Sequence, residues 1–209
     1  PGRGVKVAVI GGGLSSLTAA WDLGRKGYLV TVMSDTPGGT LLSLPEERLP
    51  RASIAEEGEA LKKLKVSFGP RPELTSARIE SLAREYAAVY VGLDDAPAMD
   101  PAALGLGVPD ELSLAVVVPG VFVGGTGSSP VGLAAQGRKG AVSVDRFVQG
   151  VSMSASREKE GPFETRLSTP IEDVAPQAAA AMADPAGYAQ AEAGVEAGRC
   201  LQCECLRCV

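Results

Sequence analysis

An α/β fold with a parallel sheet and flanking helices is predicted by three observations. Val5, Val7, Val9 and Ile10 form a short apolar run that ends in three glycines, and a helical pattern starts immediately afterwards at Leu14. A second apolar run, Tyr28–Met33, closes a strand–helix–strand unit, whose two strands must be parallel because a helix separates them. Apolar residues make up 45% and charged residues 22% of the 209, a balance that fills the core of one soluble domain with room for an appendage.

The turn at Gly11–Ser16 organises the rest. Gly11 and Gly13 allow a tight reversal, and the helix then opens with Leu14, Ser15 and Ser16. Free amides at such a helix start converge on one spot, where the helix dipole also favours negative charge, so the turn suits a phosphate. This predicts a Rossmann-like dinucleotide-binding domain over residues 1–150. One departure is visible: Ser16 replaces the third glycine of G-x-G-x-x-G.

The first helix is expected over Leu14–Lys26, with Leu14, Leu17, Trp21 and Tyr28 along one stripe and Ala19 and Ala20 allowing close approach to the sheet. Gly27 stops it. At the end of the second strand, where dinucleotide folds carry a ribose-binding acid, stand Ser34 and then Asp35. Asp35 fits either that role or a solvated turn. Thr36–Thr40, which includes Gly38 and Gly39, is a loop. Ser53 and Glu56 have the spacing of a capping box and predict a helix start. Lys65–Phe68 reads as a short strand, and Thr75 caps a helix with Ile79, Leu82, Ala83 and Tyr86 on one face. Ala87–Gly92 is a buried strand, residues 94–113 a connection, and Leu114–Val118 and Val121–Val123 two further strands. A last helix spans Pro130–Gln149, with Val131, Ala134, Ala135, Val142 and Val148 inward and Gly132, Gly137 and Gly140 weakening it. Residues 151–209 are polar or alanine-rich and predict an extended arm.

Composition excludes several functions. A net charge of −5 with no basic run argues against nucleic acid. No apolar stretch is as long as a membrane span and no secretory pattern opens the chain, so a cytoplasmic protein is expected. Histidine is absent, which removes imidazole bases and His-containing metal sites. All four cysteines, Cys200, Cys203, Cys205 and Cys208, fall in the last ten residues. That crowding favours metal ligation over a disulfide framework. Four thiolates hold a [4Fe–4S] cluster or zinc equally well, and four free thiols are the plain alternative.

The run VAVIGGGLSSLTAAWDLGRKGYLVTV, followed by PGG, RLPR and the late PGVFVGG, resembles the FAD domain of the glutamate synthase small subunit and its relatives, including the flavin domain of dihydropyrimidine dehydrogenase. The resemblance covers about residues 4–150. It implies FAD held by Gly11, Gly13, Leu14, Ser15, Ser16, Gly38, Gly39, Gly125 and Thr126, with Ser34 or Asp35 at the ribose. It also gives Arg48 of RLPR a phosphate or ring contact, against the plain reading of a surface arginine. In that family the flavin does the redox chemistry, and electrons pass from NADPH through FAD to iron–sulfur clusters. Ser34 and Thr126 stand where the family has acids, and each loss removes a charge-assisted hydrogen bond of about 1.5–3 kcal/mol. The family's inserted NADPH domain has no counterpart here, so a partner subunit or domain is expected to carry an NAD(P)H or iron–sulfur site, with self-association left open. Glu196–Cys203 (EAGRCLQC) resembles the family's cluster segment, whose C-x₂-C-x₄-C spacing Cys200, Cys203 and Cys208 reproduce; its fourth ligand would fall at position 212. Two functions are thus expected from the sequence: an FAD-dependent electron-transfer module, or a degenerate flavin-fold scaffold that no longer binds FAD tightly.

Overall fold

In the computed structural model the described residues are 4–96, 99–127, 129–157, 160, 167–168, 172–201 and 204–205. The chain divides into two compact units, Pro1–Gly161 and Pro162–Val209.

In the first unit, strand β1 (Lys6–Ile10) leads through the glycine turn into helix α1 (Leu14–Arg25) and strand β2 (Leu29–Met33). A 3₁₀ turn (Gly39–Ser43), helix α2 (Arg51–Lys63), strand β3 (Ser67–Gly69), helix α3 (Ser76–Glu85) and strand β4 (Ala88–Gly92) follow. Strand β5 (Val121–Gly124) and helix α4 (Pro130–Val148) complete it. The five strands are all parallel, in the order β3-β2-β1-β4-β5. The fold is therefore α/β, as the sequence predicts. The chain steps outward from β1 to β2 and β3, then returns past β1 to β4. The direction of travel across the sheet reverses between β1 and β4, and in open parallel sheets ligands bind in the crevice beyond the carboxyl ends of such a pair.

Both faces of the sheet are covered, because alternate side chains of each strand point to opposite sides. Val7, Val9, Val30, Val32, Tyr90 and Phe122 pack on one side with Ala19, Ala20 and Leu23 of α1 and Ala141 and Val144 of α4. Ala8, Ile10, Val89, Val91, Val121 and Val123 face the other side, against Ile79 and Leu82 of α3 and Leu106.

In helix α1, Ala19 and Ala20 approach the sheet as predicted, and Ser15, Ser16, Leu23 and Gly24 are buried with them. Leu14, Leu17 and Trp21 line a groove with Leu41, Ile54 and Leu61, and Leu17 and Trp21 also pack against the core. Four sequence expectations need correction. Helix α2 starts at Arg51, ahead of Ser53, with its first amide bonded to Glu46 Oε1 at 2.9 Å and no side-chain cap from Pro50. Leu114–Val118 is not a strand of the sheet, because Leu114 takes a left-handed φ of 60°. The segment instead folds back antiparallel beside β5 through one Ala115–Phe122 bridge. Strand β3 begins at Ser67, since Lys65 (φ 64°) is also left-handed and ends the preceding helix.

Helix α4 follows its predicted face only in part: Val148 packs against the core, and Ala134 and Val142 are half-buried. Val131 and Ala135 are exposed, whereas Gly137, Gly140, Ala141, Ser143 and Val144 are buried. A Cβ at Gly137 would lie 2.2 Å from the Ser15 carbonyl oxygen, and one at Gly140 would lie 2.2 Å from the Tyr90 ring. The glycines that weaken this helix in isolation are the ones that let it press against α1 and β4.

Beyond α4 the first unit continues to Arg157, a residue that is 1% exposed. Its guanidinium donates to Ser143 Oγ at 2.8 Å and pairs with Glu160 at 2.7 Å.

The second unit holds a two-residue antiparallel pair, β6 (Leu167–Ser168) with β7 (Glu204–Cys205), and helix α5 (Gln190–Gly198). Glu192 Oε2 accepts from the Ala189 amide at 2.8 Å at the helix start, and Glu196 Oε2 from the Ala180 amide at 2.8 Å. Among the described residues no helix is long and apolar enough to cross a membrane.

Candidate functional site

The carboxyl ends of β1 and β4 frame the site. Gly11 has φ 114°, a conformation open to glycine, and its amide donates to Met33 O at 3.0 Å. Gly12 and Gly13 then pass under their neighbours with no room for a side chain. A Cβ at Gly12 would meet Ser34 Oγ at 2.2 Å, and one at Gly13 would meet the Asp94 carboxylate at 2.2 Å. Gly38 donates to Gly12 O at 2.8 Å, and a Cβ on Gly39 would touch Gly13 Cα at 2.9 Å. The PGG loop therefore packs directly on the turn.

Ser16, at the third position of the motif, is fully buried. A Cβ on Gly92 would lie 2.1 Å from its hydroxyl. Gly92 of β4, rather than a glycine on the helix, supplies the close approach here, and this accommodates the departure. Gly125 (φ 81°) closes the far wall, where a Cβ would meet the Leu93 amide nitrogen at 2.6 Å. Gln136 Oε1 accepts from the Gly125 and Thr126 amides at 2.7 and 2.9 Å.

Two of the turn's amides, those of Gly12 and Ser15, are already engaged by two acids. Asp94 accepts from the Ser15 amide at 3.1 Å and from the Ser15 hydroxyl at 2.6 Å. Since Gly13 offers no side chain at the N-cap, a carboxylate from the end of β4 caps α1 in its place. Asp95 Oδ2 accepts from the Gly12 amide at 2.8 Å and pairs with Arg71 at 3.2 Å. The sequence singles out neither acid and puts both in a connection. Their pairing spans about eighty residues, and no local pattern announces it.

Two polar atoms beside this arrangement have no hydrogen-bond partner among the described residues: the Tyr90 hydroxyl and Asp95 Oδ1. Burial pushes the Tyr90 phenol well above the ordinary tyrosine range; nearby Ser15 opposes this and the Asp94 charge adds to it. Ser15 acts on the phenol without completing a hydrogen bond to it. A buried group left unpaired costs about 1–3 kcal/mol. Tyr90→Phe is therefore expected to raise stability by about 1 kcal/mol, read as a higher urea midpoint at unchanged slope.

The remaining predicted residues divide. Ser34 is buried at the end of β2, and its Oγ accepts from the Thr36 amide at 3.1 Å. Asp35 is exposed and accepts from the Arg71 amide at 3.0 Å, which ties down a neighbouring loop. Leu14 faces the groove and Thr126 is exposed. Arg48 is exposed, and the arginine that organises its loop is Arg51, which donates to Leu42 O at 2.6 Å and Leu44 O at 3.0 Å. Cys200 is an exposed free thiol at the end of α5. Cys203 and Cys208 lie outside the described residues, and for Cys205 only the backbone, within β7, is described. Among the described residues no three metal-ligating side chains gather.

The backbone of the turn thus has the shape a dinucleotide diphosphate needs, but in this conformation two of its amides, those of Gly12 and Ser15, are held by Asp95 and Asp94. A dinucleotide diphosphate therefore reaches the Gly12 and Ser15 amides only where these two carboxylates give way.

No family model matches the chain. Over 92 residues, 42% of this chain and 13% of the relative, it is 39% identical to the NADP(+)-dependent formate dehydrogenase subunit beta of Moorella thermoacetica. Among solved structures, histamine dehydrogenase from Rhizobium sp. 4-9 matches at 23% sequence identity and TM-score 0.33, over 44% of this chain and 15% of that one. Lactococcus lactis thioredoxin reductase matches at 11% identity and TM-score 0.47, over 70% of this chain and 100% of that one. The chain therefore corresponds to a small part of the formate dehydrogenase subunit, 13% of its length.

Proposed function

We propose that this chain is the dinucleotide-binding module of an electron-transfer oxidoreductase, with FAD as its cofactor. The observation that carries the reading is the Gly11–Ser16 turn, set at the β1–β4 switch of a five-stranded parallel sheet. The segment shared with a subunit of an NADP(+)-dependent formate dehydrogenase supports an oxidoreductase that works beside other subunits. The partner subunit or domain supplies the NAD(P)H or iron–sulfur site. Kinship with the glutamate synthase small subunit belongs to this proposal, as does a cytoplasmic location. So does a [4Fe–4S] centre held by Cys200, Cys203, Cys205 and Cys208.

The site residues act by position. Gly11, Gly12 and Gly13 bring the backbone close, Ser15 and Ser16 open the helix that favours an anion, and Ser34 stands at the ribose place. A second reading, a flavin-fold scaffold with its site filled, is favoured by one observation, the carboxylates of Asp94 and Asp95 on the turn's amides.

Anaerobic purification followed by a visible spectrum and FAD titration tests both. The oxidoreductase reading expects a flavin spectrum, or saturable quenching of flavin fluorescence on adding FAD. A colourless protein that takes up no FAD at any concentration tried would leave the scaffold. Iron and sulfide analysis of the same sample tests the cluster, and a sample without iron removes it.

A further inference from the structure

Resting on the dinucleotide reading, we propose that Asp94 and Asp95 are an intramolecular anion that closes the Gly11–Ser16 nest, so that a diphosphate enters only by displacing both carboxylates.

The placement is that of a competitor. Asp94 takes the amide and hydroxyl of Ser15, and Asp95 takes the amide of Gly12. These donors belong to the turn that would otherwise hold an anion at the start of α1. The charges correspond as well, since two carboxylates occupy turn donors that an anion would use. Arg71, paired with Asp95 at 3.2 Å, is a cation held beside the nest. Withdrawal of Asp95 frees it to face the entering anion.

The second observation is what the closed state leaves unpaired. The Asp95 side chain is only 8% exposed. Its Oδ1 has no partner among the described residues and lies at the turn, 3.4 Å from where a Gly11 Cβ would be. The Tyr90 hydroxyl, on a residue that is 0% exposed, is likewise unpartnered and sits by Ser15 and the Asp94 charge. Exchange of the acids for a diphosphate relieves both defects. The carboxylate oxygen passes into water, and a phosphate oxygen offers the phenol an acceptor.

Opening need not disturb the sheet. Strand β4 ends at Gly92, and the two acids ride on a turn closed by the Ala96 amide on Leu93 O at 2.9 Å. Affinity for a dinucleotide is then reduced by the fraction of molecules in which this turn is closed. The acids act as positioning residues that set how readily the site admits its ligand.

The test compares the full chain with Asp94→Asn, Asp95→Asn and the double variant, using inorganic pyrophosphate and FAD as separate probes. Asparagine remains a good helix cap, so the fold is retained while the competing charge is lost. The double variant is expected to bind pyrophosphate about tenfold more tightly than wild type, with each single variant between them. Equal or weaker binding in the double variant overturns the proposal. If the variants fail to fold, wild type decides: pyrophosphate is expected to shift the Gly12 and Ser15 amide resonances saturably, and a titration that leaves both unmoved overturns it. The two readings separate by probe. Tighter pyrophosphate binding without FAD uptake keeps the gate and removes the flavin. FAD binding that is indifferent to both acids keeps the flavin and removes the gate.

Discussion

Gly137→Ala is expected to destabilise the protein by about 1–3 kcal/mol, although alanine is the better helix former. In an open helix position the same change stabilises by about 0.5–1 kcal/mol. At Gly137 the added methyl would lie 2.2 Å from the Ser15 carbonyl oxygen and 2.9 Å from its carbonyl carbon. That neighbour is backbone at the first turn of α1, so it cannot swing aside. Gly140→Ala meets the Tyr90 ring at 2.2 and 2.6 Å, and Tyr90 is packed inside the sheet. At Gly58 in α2 an added methyl would have nothing within 4 Å, and this position serves as the internal control. Urea denaturation of the three variants should give two losses and one small gain. A gain at Gly137 would mean that α1 and α4 stand further apart than these contacts require. Because Gly137 presses on Ser15, the same variant is expected to weaken any ligand that binds at the nest.

Removal of the Asp145 carboxylate is the second large effect. It accepts from Lys26 Nζ at 2.5 Å, Tyr28 Oη at 2.6 Å and Gln149 Nε2 at 2.7 Å, tying α4 to the end of α1 and the start of β2. Burial pushes this carboxyl up, but the hydrogen bonds from Lys26, Tyr28 and Gln149 outweigh it, and the net shift is downward. Burial and the same carboxylate drive the Tyr28 phenol well above its ordinary range. Asp145→Ala leaves the Tyr28 hydroxyl without its acceptor in a buried position, at a cost of about 1–3 kcal/mol. The pH dependence has a definite sign. A carboxyl whose folded value is depressed stabilises fully above its unfolded value, near 3.9. That stabilisation is lost as the pH falls through the lower folded value. Wild type should therefore lose stability more steeply below about pH 4 than Asp145→Asn, which keeps an acceptor for Tyr28 without the charge. Some slope should remain in the variant. Asp110 is also held low, chiefly by the Ser113 hydroxyl at 2.6 Å.

What can be read from the sequence is local. Val5–Met33 shows its strand, turn, helix and strand because apolar period and glycine placement are both short-range signals. Thr75 is identifiable as a cap for the same reason, and its Oγ1 accepts from the Arg78 amide at 3.2 Å. The inner face of α4 is not readable. Glycine carries no hydrophobic signal, so a face made of Gly137, Gly140 and Ala141 looks polar by composition while being the most closely packed. Ser53 misleads because the capping-box spacing is present, yet Glu46 meets the first free amide of α2 from outside the helix. At the site, the glycines and Ser34 are legible because strand ends and tight turns mark them. Asp94, Asp95 and Arg71 are not, because only the folded sheet brings β4 and the loop after β3 to the start of α1.

The edges of the sheet bear on how a partner could attach. β3 offers only three residues on one side. On the other, the segment before β5 turns back along it, with Val116 donating to Val121 O at 3.2 Å and Val123 to Leu114 O at 2.9 Å. Short or covered edges give an incoming chain few backbone groups to pair with. Association by strand addition is thereby discouraged at both rims, and self-templated growth of the sheet with it. Any companion chain would then meet this unit more readily through helix surfaces and loops, where side chains rather than main chain decide what fits.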